Sequence, residues 1–170
     1  MLILGIESSA GPASAAVVQD GRLLGEFFVN TRQTHSQTLL PMVKSLLANL
    51  SLKVRDLDCI AVANGPGSFT GVRIGVACVK GMALPNNTAC CGISTLEGIA
   101  YGGAGLVGSI ICAAMDARCG QVYNALFEVE DTGLARLTED RAISLEELGR
   151  ECRSLSLIHI SEPTRRRGIS

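Results

Sequence analysis

The chain has 170 residues, of which 47% are hydrophobic and 18% are charged, and its formal net charge is −1. A protein that binds RNA by itself usually carries a basic stripe that neutralises phosphates, and no such stripe precedes Arg165. The composition therefore argues against tight RNA binding by this chain alone and favours a folded domain with a large apolar core.

The apolar segments of the chain predict a cytoplasmic protein without a membrane anchor. The first six residues contain no basic residue and lead directly to Glu7, which favours a buried strand over a signal peptide. The longest apolar stretch, from Gly103 to Met115, is too short and too rich in glycine to span a bilayer. The seven cysteines include no Cys-x-x-Cys pair and lie mostly in apolar runs, so we expect buried, reduced thiols.

The first part of the chain predicts strands followed by an alternation of helices and strands. Apolar residues at helical spacing predict a helix at His35–Leu50, and Ser68 is placed to cap a second helix that ends near Leu84. A third, short helix is predicted at Thr95–Ala100. This order resembles the RNase H-like lobe of the actin-like ATPases, an α/β fold with a mixed sheet flanked by helices. Short apolar runs predict the strands Leu2–Ile6, Ala13–Gln19, Arg22–Asn30, Cys59–Ala63 and Cys90–Ile93.

The second part of the chain contains a weak repeat of the first. Leu2–Ile6 followed by Glu7 is repeated as Ser109–Met115 followed by Asp116, and in each case a turn containing aspartate and glycine comes later. A duplicated hairpin with an acidic residue at the end of its first strand is what two stacked lobes of this fold require. The repeat therefore predicts a second lobe of the same kind.

The last part of the chain does not continue this pattern. No strand–helix rhythm follows Leu148, and the final residues combine a short apolar patch, a proline and three successive arginines, as a translated cloning adaptor would. We expect this tail to be disordered, so we assign no function to His159. The predicted division is an N-terminal RNase H-like lobe at 1–103, an incomplete second lobe at 104–153 and a non-native tail at 154–170.

Two acidic residues at predicted strand ends form a candidate nucleotide site. Glu7 is followed by Ser8 and Ser9, and Asp116 occupies the corresponding place in the second lobe. In sugar-kinase and actin-like folds, an acid with small hydroxyl residues at this turn holds a metal-bound phosphate, which backbone N–H groups also cradle. The alternative is that the carboxylate is satisfied by backbone donors of its own turn, and Pro12 favours this alternative because a flexible glycine would let phosphates approach more closely.

A glycine-rich stretch before and within the second helix provides a second candidate site. The loop Gly65–Gly71 lacks the lysine of a Walker loop, so it is a weak signal for phosphate binding. Within the helix, Gly71, Gly75 and Cys78 share one face, although each glycine costs roughly 1 kcal/mol relative to alanine. Such a face permits close approach of another segment, which is either another part of this molecule or the apolar stripe of the first helix in a partner. The predicted partner-binding residues are Leu39, Leu40, Met42, Val43, Leu46, Gly71, Gly75 and Cys78.

The sequence predicts neither a metal site nor a catalytic residue. His35 stands near a helix start, where a metal-binding helix would place a second histidine four residues later, but position 39 is leucine. Asp116 and Arg118 are spaced to form a local ion pair that fixes a turn. No Ser/His/Asp or Cys/His arrangement stands out.

Five segments of the sequence resemble, in order, the bacterial TsaB (YeaZ) family. The resemblance extends from residue 1 to about residue 150, and the block GPGSFTGVRIG is highly specific. The segments are Ile3–Ser9, His35–Val43, Gly65–Gly75, Gly92–Leu96 and Asp116–Tyr123.

The resemblance implies a role in making threonylcarbamoyladenosine at position 37 of tRNA. It implies a non-catalytic scaffold subunit that docks the catalytic transferase TsaD through its first two helices, is joined by the ATPase TsaE and forms homodimers through the same helical surface. It also implies contact with tRNA only through the complex, and no cofactor of its own, with Mg-ATP entering only in the assembly. The alternative is an actin-like ATP-binding phosphotransferase that uses Glu7, Ser8, Ser9 and Asp116, and a third, a metallopeptidase, is disfavoured by the lone His35.

Two positions and the chain length compare informatively with the family pattern. Leu39 stands where the second histidine of the TsaD metal pair would be, in agreement with the absence of a predicted metal site. Gln121 stands where an acidic residue is common. The family continues well beyond residue 155, so we expect this chain to be a fragment with a foreign tail.

Overall fold

The computed structural model describes residues 1–31, 33–154 and 158–161, with side chains up to residue 153. The chain divides into two compact units, Met1–Thr95 and Leu96–Ser170. Within the described ranges, no helix combines the length and the apolar character that a membrane crossing requires.

The first unit contains a five-stranded mixed sheet in the order β3-β2-β1-β4-β5. Strand β2 pairs antiparallel with β1 and β3, whereas β4 pairs parallel with β1 and β5. A helix therefore lies in each connection that leads to β4 and to β5, as parallel strands require. This arrangement confirms the predicted actin-like, RNase H-like fold. The strands are β1 (Leu2–Glu7), β2 (Ala13–Gln19), β3 (Arg22–Val29), β4 (Cys59–Ala63) and β5 (Ala89–Ile93).

Two helices, α1 (His35–Asn49) and α2 (Phe69–Ala83), pack on one face of this sheet. Ser68 caps α2 as the sequence predicts, because its hydroxyl oxygen accepts a hydrogen bond from the Gly71 N–H at 3.3 Å. Alternate residues of the strands point to the helices, since side chains of a strand alternate between its faces. The fully or nearly fully buried core of this layer includes Leu4, Ile6, Val17, Leu39, Leu46, Ile60 and Val79.

The opposite face of the same sheet, here called the open sheet face, carries the other set of alternate side chains. On β3, Leu23 and Phe28 are exposed, the latter by 64%. On β5 every residue is exposed, including Cys91 and Ile93. Both α1 and α2 lie on the other side of the sheet, so this face presents apolar side chains to solvent in the described part of the unit.

The second unit is built around a long antiparallel hairpin. Its sheet has the order β10-β6-β7-β8, and β9 also pairs with β7. The turn of the hairpin contains Arg118, Cys119 and Gly120, all with positive φ. One face of the hairpin packs Ile111 and Phe127 into a buried cluster. The remaining elements are α3 (Thr95–Ala100), β6 (Ile110–Arg118), β7 (Gln121–Glu130), β8 (Gly133–Arg136), β9 (Arg141–Ser144), α4 (Leu145–Ser154) and β10 (Ile158–Ser161).

The boundary between the units comes before the predicted position at residue 103. Leu96 and Ala100 on α3 are completely buried, and they belong to the same cluster as Ile111. Because α3 supplies core side chains to the second hairpin, it is part of the second unit. The sequence pattern shows that α3 exists but not which core it completes.

The expectation of a disordered tail is wrong for part of 154–170. Ile158–Ser161 form β10, which pairs in parallel with β6 from Ile110 to Ala113. This pairing forms because an unpaired strand edge offers N–H and C=O groups to any extended segment that reaches it. The remaining predicted tail at 155–157 and 162–170 lies outside the described residues.

The helix α4 is not predicted, although its start carries a signal. The hydroxyl oxygen of Ser144 accepts a hydrogen bond from the Glu147 N–H at 3.1 Å, and Glu146 and Glu147 lie in the first turn. A serine followed three residues later by glutamate is the sequence signature of a helix start. Leu148 is buried on this helix. The helix continues to Ser154, so the alternation of strands and helices extends beyond Leu148, where the sequence pattern suggests that it ends.

The buried stripe of α1 predicts a large difference between two leucines on the same helix. Leu46 is 1% exposed and Leu40 is 47% exposed. Leu46→Ala should lower the free energy of unfolding by about 2–5 kcal/mol because it leaves a cavity. The control Leu40→Ala should change it by less than about 1 kcal/mol. Urea unfolding measures both values, and equal losses would contradict the assignment of the two helix faces.

Candidate functional site

The turn after β1 is attached directly to the start of α2. Ser8 is completely buried, and its hydroxyl donates to the Gly71 carbonyl oxygen at 3.0 Å. The Ser68 N–H donates to the carbonyl oxygen of Ser9 at 2.6 Å. These two bonds join the first two predicted sites, the acidic turn and the glycine-rich helix, into one cluster.

The glycines of α2 create the space that this attachment needs. A Cβ atom at Gly71 would collide with the Ser8 carbonyl oxygen, and one at Gly75 would collide with the Ser8 hydroxyl. A Cβ atom at Gly67 would lie 2.6 Å from the Ser9 carbonyl oxygen. The glycine face of α2 is therefore occupied by the chain itself. A larger residue at Gly75 would report on folding and not on partner binding.

The predicted partner-binding set requires a correction for the same reason. Four of its members on α1 belong to the core of the first unit, because the apolar stripe of this helix faces the sheet. Two more are the glycines that contact Ser8. Cys78 is partly buried against the core, and Leu40 alone in this set is exposed. The six buried residues are Leu39, Met42, Val43, Leu46, Gly71 and Gly75.

The sides of α1 and α2 that point away from the sheet form a different surface, here called the outer helix surface. The two helices pack against each other. Phe69 is 75% exposed, and the guanidinium of Arg73 lies 5.0 Å from the centre of its ring. Such a cation–π pair combines apolar area with charge, a combination that is common at protein interfaces. The exposed residues of this surface include Gln37, Leu40, Lys44, Phe69, Arg73 and Lys80.

An apolar groove of about 430 Å³ begins beside Leu40 and follows α1 toward the segment after it. Two lysines, Lys44 and Lys53, also line this groove. The groove extends the outer helix surface with an apolar floor and positive charge at its edges. Its apolar lining is Leu40, Val43, Leu47, Ala48, Leu52, Val54 and Met82.

The carboxylates of the candidate nucleotide site are used by their own turns. Glu7 Oε1 accepts a hydrogen bond from the Ser9 N–H, and Asp116 Oδ1 accepts one from the Arg118 N–H at 2.7 Å. The sequence predicts an ion pair between the side chains of Asp116 and Arg118, whereas in the structure Asp116 binds the backbone N–H of Arg118. One N–H group in each turn is therefore already engaged by the acidic side chain of that turn, which favours the structural alternative for Glu7 and Asp116.

The histidine position also has a local explanation. His35 Nε2 lies 2.8 Å from the Ala10 carbonyl oxygen, and Leu39 is completely buried in the core. In the part of the chain that the structure describes, no three His, Cys, Asp or Glu side chains come close enough to share a metal ion. Two buried hydroxyls, Ser9 Oγ and Thr95 Oγ1, have no hydrogen-bond partner among the described residues. The sequence identifies Thr95 only as the start of a predicted helix, and its one further signal is a hydroxyl residue two positions after the strand end at Ile93.

Comparisons with known proteins match most of the chain. A family model described as TsaD, tRNA N6-adenosine threonylcarbamoyltransferase, matches residues 25–154. The chain is 36% identical over 152 residues to the tRNA threonylcarbamoyladenosine biosynthesis protein TsaB of Escherichia coli, which covers 89% of this chain and 65% of that protein. It is 34% identical over 145 residues to the TsaB protein of Bacillus subtilis, with 85% and 63% covered. The chain thus spans slightly less than two thirds of the length of these two relatives.

A solved structure shows the same similarity in three dimensions. The protein described as YeaZ from Pseudomonas aeruginosa superimposes with a TM-score of 0.75 at 29% sequence identity. The match covers 84% of this chain and 67% of that one.

The contact between α2 and Ser8 predicts opposite effects for two glycines of one helix. Gly75→Ala should lower the free energy of unfolding by about 1–3 kcal/mol, because the added methyl group meets Ser8. The control Gly81→Ala should raise it by up to about 1 kcal/mol, because its Cβ meets nothing within 4 Å and alanine favours helix. Chemical unfolding tests both, and a neutral Gly75→Ala would contradict the packing described.

The occupied turns predict weak nucleotide binding. We expect calorimetry with Mg-ATP to show no micromolar affinity, because Glu7 and Asp116 already accept backbone hydrogen bonds. Micromolar binding that is lost in Glu7→Gln, but kept in the control Glu26→Gln on the exposed side of β3, would instead support the phosphotransferase alternative.

Proposed function

The chain belongs to the TsaB (YeaZ) family, and from this premise we propose that it takes part in making threonylcarbamoyladenosine in tRNA as a non-catalytic subunit. The observation that carries the proposal is the 36% identity to a TsaB protein over 89% of this chain. The match extends through both structural units, so it reflects more than a shared fold. The subunit acts in the cytoplasm.

The non-catalytic role is supported by the residues at the place of the metal pair. His35 Nε2 is engaged by the Ala10 carbonyl oxygen, and the residue one turn later is the core residue Leu39. A metal ion at this place would need a second nitrogen or oxygen ligand, and a leucine side chain supplies none. We therefore assign the transfer chemistry to a partner.

We propose a TsaD-like transferase as that partner, docked on the outer helix surface. Exposed aromatic and arginine side chains are enriched at interfaces, and Phe69 and Arg73 form such a pair. Leu40 adds an exposed apolar side chain beside the groove that Lys44 borders. The matching face of the partner would be apolar at its centre, with acidic residues opposite the lysines.

The same surface is the proposed contact of a homodimer. Binding of a TsaD-like transferase and self-association would then compete, because both use α1 and α2. A TsaE-like ATPase would join the assembly and bring Mg-ATP, and tRNA would bind only to the assembled complex.

Two substitutions on the outer helix surface test the docking proposal. Leu40→Asp and Phe69→Asp should each weaken the affinity for a TsaD-like transferase by about tenfold or more, because each places a charge in a desolvated interface. Neither should lower the thermal midpoint much, since both side chains are exposed. Calorimetric titration of the complete chain with the purified transferase measures the affinity.

The matched control is Leu23→Asp, which places the same charge at an exposed leucine of the open sheet face. It should bind the transferase like the unmodified chain. Wild-type affinity in the α1 and α2 variants, or an equal loss in Leu23→Asp, would show that docking uses another surface.

A further inference from the structure

Two cysteines of neighbouring parallel strands lie side by side in the first unit. Cys59 begins β4 and Cys91 is the central residue of β5. The register pairs Cys59 with Ala89 and Ala61 with Cys91, so the two cysteines are diagonal neighbours on the same face of the sheet. Their Sγ atoms are 3.7 Å apart, which is close contact for two sulfur atoms.

This cysteine pair is accessible from solvent. Cys91 is exposed and Cys59 is partly buried. Cys90, the neighbour of Cys91, is paired with Ile60 of the core and therefore points to the other face, where its Sγ lies 3.6 Å from the Thr88 carbonyl oxygen. Among the described residues the pair has no third ligand to complete a metal site. Two adjacent thiols with open access are suited to redox chemistry.

We propose that Cys59 and Cys91 form a thiol–disulfide exchange site that reacts with small disulfides such as oxidised glutathione. The Cys91 thiolate attacks one sulfur of the small disulfide, which forms a mixed disulfide and releases one small thiol. The Cys59 thiolate then attacks the Cys91 sulfur, which forms the internal disulfide and releases the second small thiol. The two cysteine protons pass through solvent to the two departing thiolates, so two protein thiols are oxidised and one small disulfide is reduced.

The environment of the pair assigns the order of these steps. Burial, followed by the contact with Cys91, raises the pKa of the Cys59 thiol, so less of it is thiolate. The exposed Cys91 is therefore the first nucleophile, and Cys59 is the resolving thiol. This order also fits the size of the oxidant, which reaches the exposed sulfur more easily.

The position of β5 allows the bond to close. The sulfurs must approach from 3.7 Å to about 2.05 Å, which requires some backbone movement for a diagonal pair. β5 is the last strand of its sheet, and all five of its residues are exposed. A shift of this strand is resisted mainly by its hydrogen bonds to β4.

A second cysteine pair in the second unit provides an internal control. Cys112 and Cys152 have their Sγ atoms 4.0 Å apart, but Cys112 is completely buried. Burial raises the pKa of the Cys112 thiol to about 12. The two pairs have similar separations, but Cys112 is closed to solvent, so the pair of Cys112 and Cys152 should stay reduced while Cys59 and Cys91 react.

The test is oxidation of the purified, reduced chain with oxidised glutathione, followed by alkylation and mass analysis without reductant. We expect an internal bond, seen as a mass lower by about 2 Da before alkylation, which corresponds to two hydrogens. After trypsin, it should link the peptide 56–73 to the peptide 81–118. Cys90→Ser should keep this link and Cys91→Ser should abolish it.

Four results would overturn the proposal. A link through Cys90 would show that the neighbouring thiol is used, and a glutathione adduct that persists on Cys91 would show that Cys59 does not resolve it. No change in mass under conditions that oxidise a small dithiol would show that the pair is inert. A link between Cys112 and Cys152 at an equal rate would show that access does not select the site.

Discussion

The direct contact between α2 and the turn after β1 is the constraint on which the first unit depends. Gly71 and Gly75 leave room for Ser8, whose hydroxyl binds the helix backbone, while Ser68 at the helix start binds the Ser9 carbonyl. The helix is thereby held close to the sheet, and α1 beside it shares the same core. Glycine is unfavourable within a helix, so its use here is offset by the close packing that it allows.

This contact also determines which side chains of α1 and α2 are exposed on the surface. Because the glycine face and the apolar stripe of α1 are turned inward, the proposed docking of a partner uses side chains on the outside, such as Leu40, Phe69 and Arg73. The glycines influence that surface only indirectly, by fixing the position of α2. The acidic turn is likewise engaged internally, since the Glu7 carboxylate accepts the hydrogen bond of the Ser9 N–H.

Local patterns in the sequence were sufficient for most of the first unit, because alternation and helical periodicity depend on near neighbours. The Ser68 cap and the five strands could be predicted in this way. The direction of the glycine face of α2 could not be predicted. The spacing of the glycines shows only that another segment packs closely against the helix, and the structure is needed to identify that segment as the turn containing Ser8. The unit boundary depends in the same way on which core buries Leu96, a contact with residues distant in sequence. The missed helix α4 differs, since Ser144 and Glu147 carried a usable local signal.

The pairing of β10 with β6 shows that the edge of a sheet places few requirements on the sequence of the strand that pairs with it. The ladder between Ile158–Ser161 and Ile110–Ala113 uses main-chain groups that every residue except proline possesses. Pairing at such a sheet edge requires an extended backbone and does not require particular side chains. Side-chain identity enters this pairing only through solvation and packing, not through the hydrogen bonds of the ladder. The edge at β6 can therefore pair with any extended segment that keeps proline away from the paired positions.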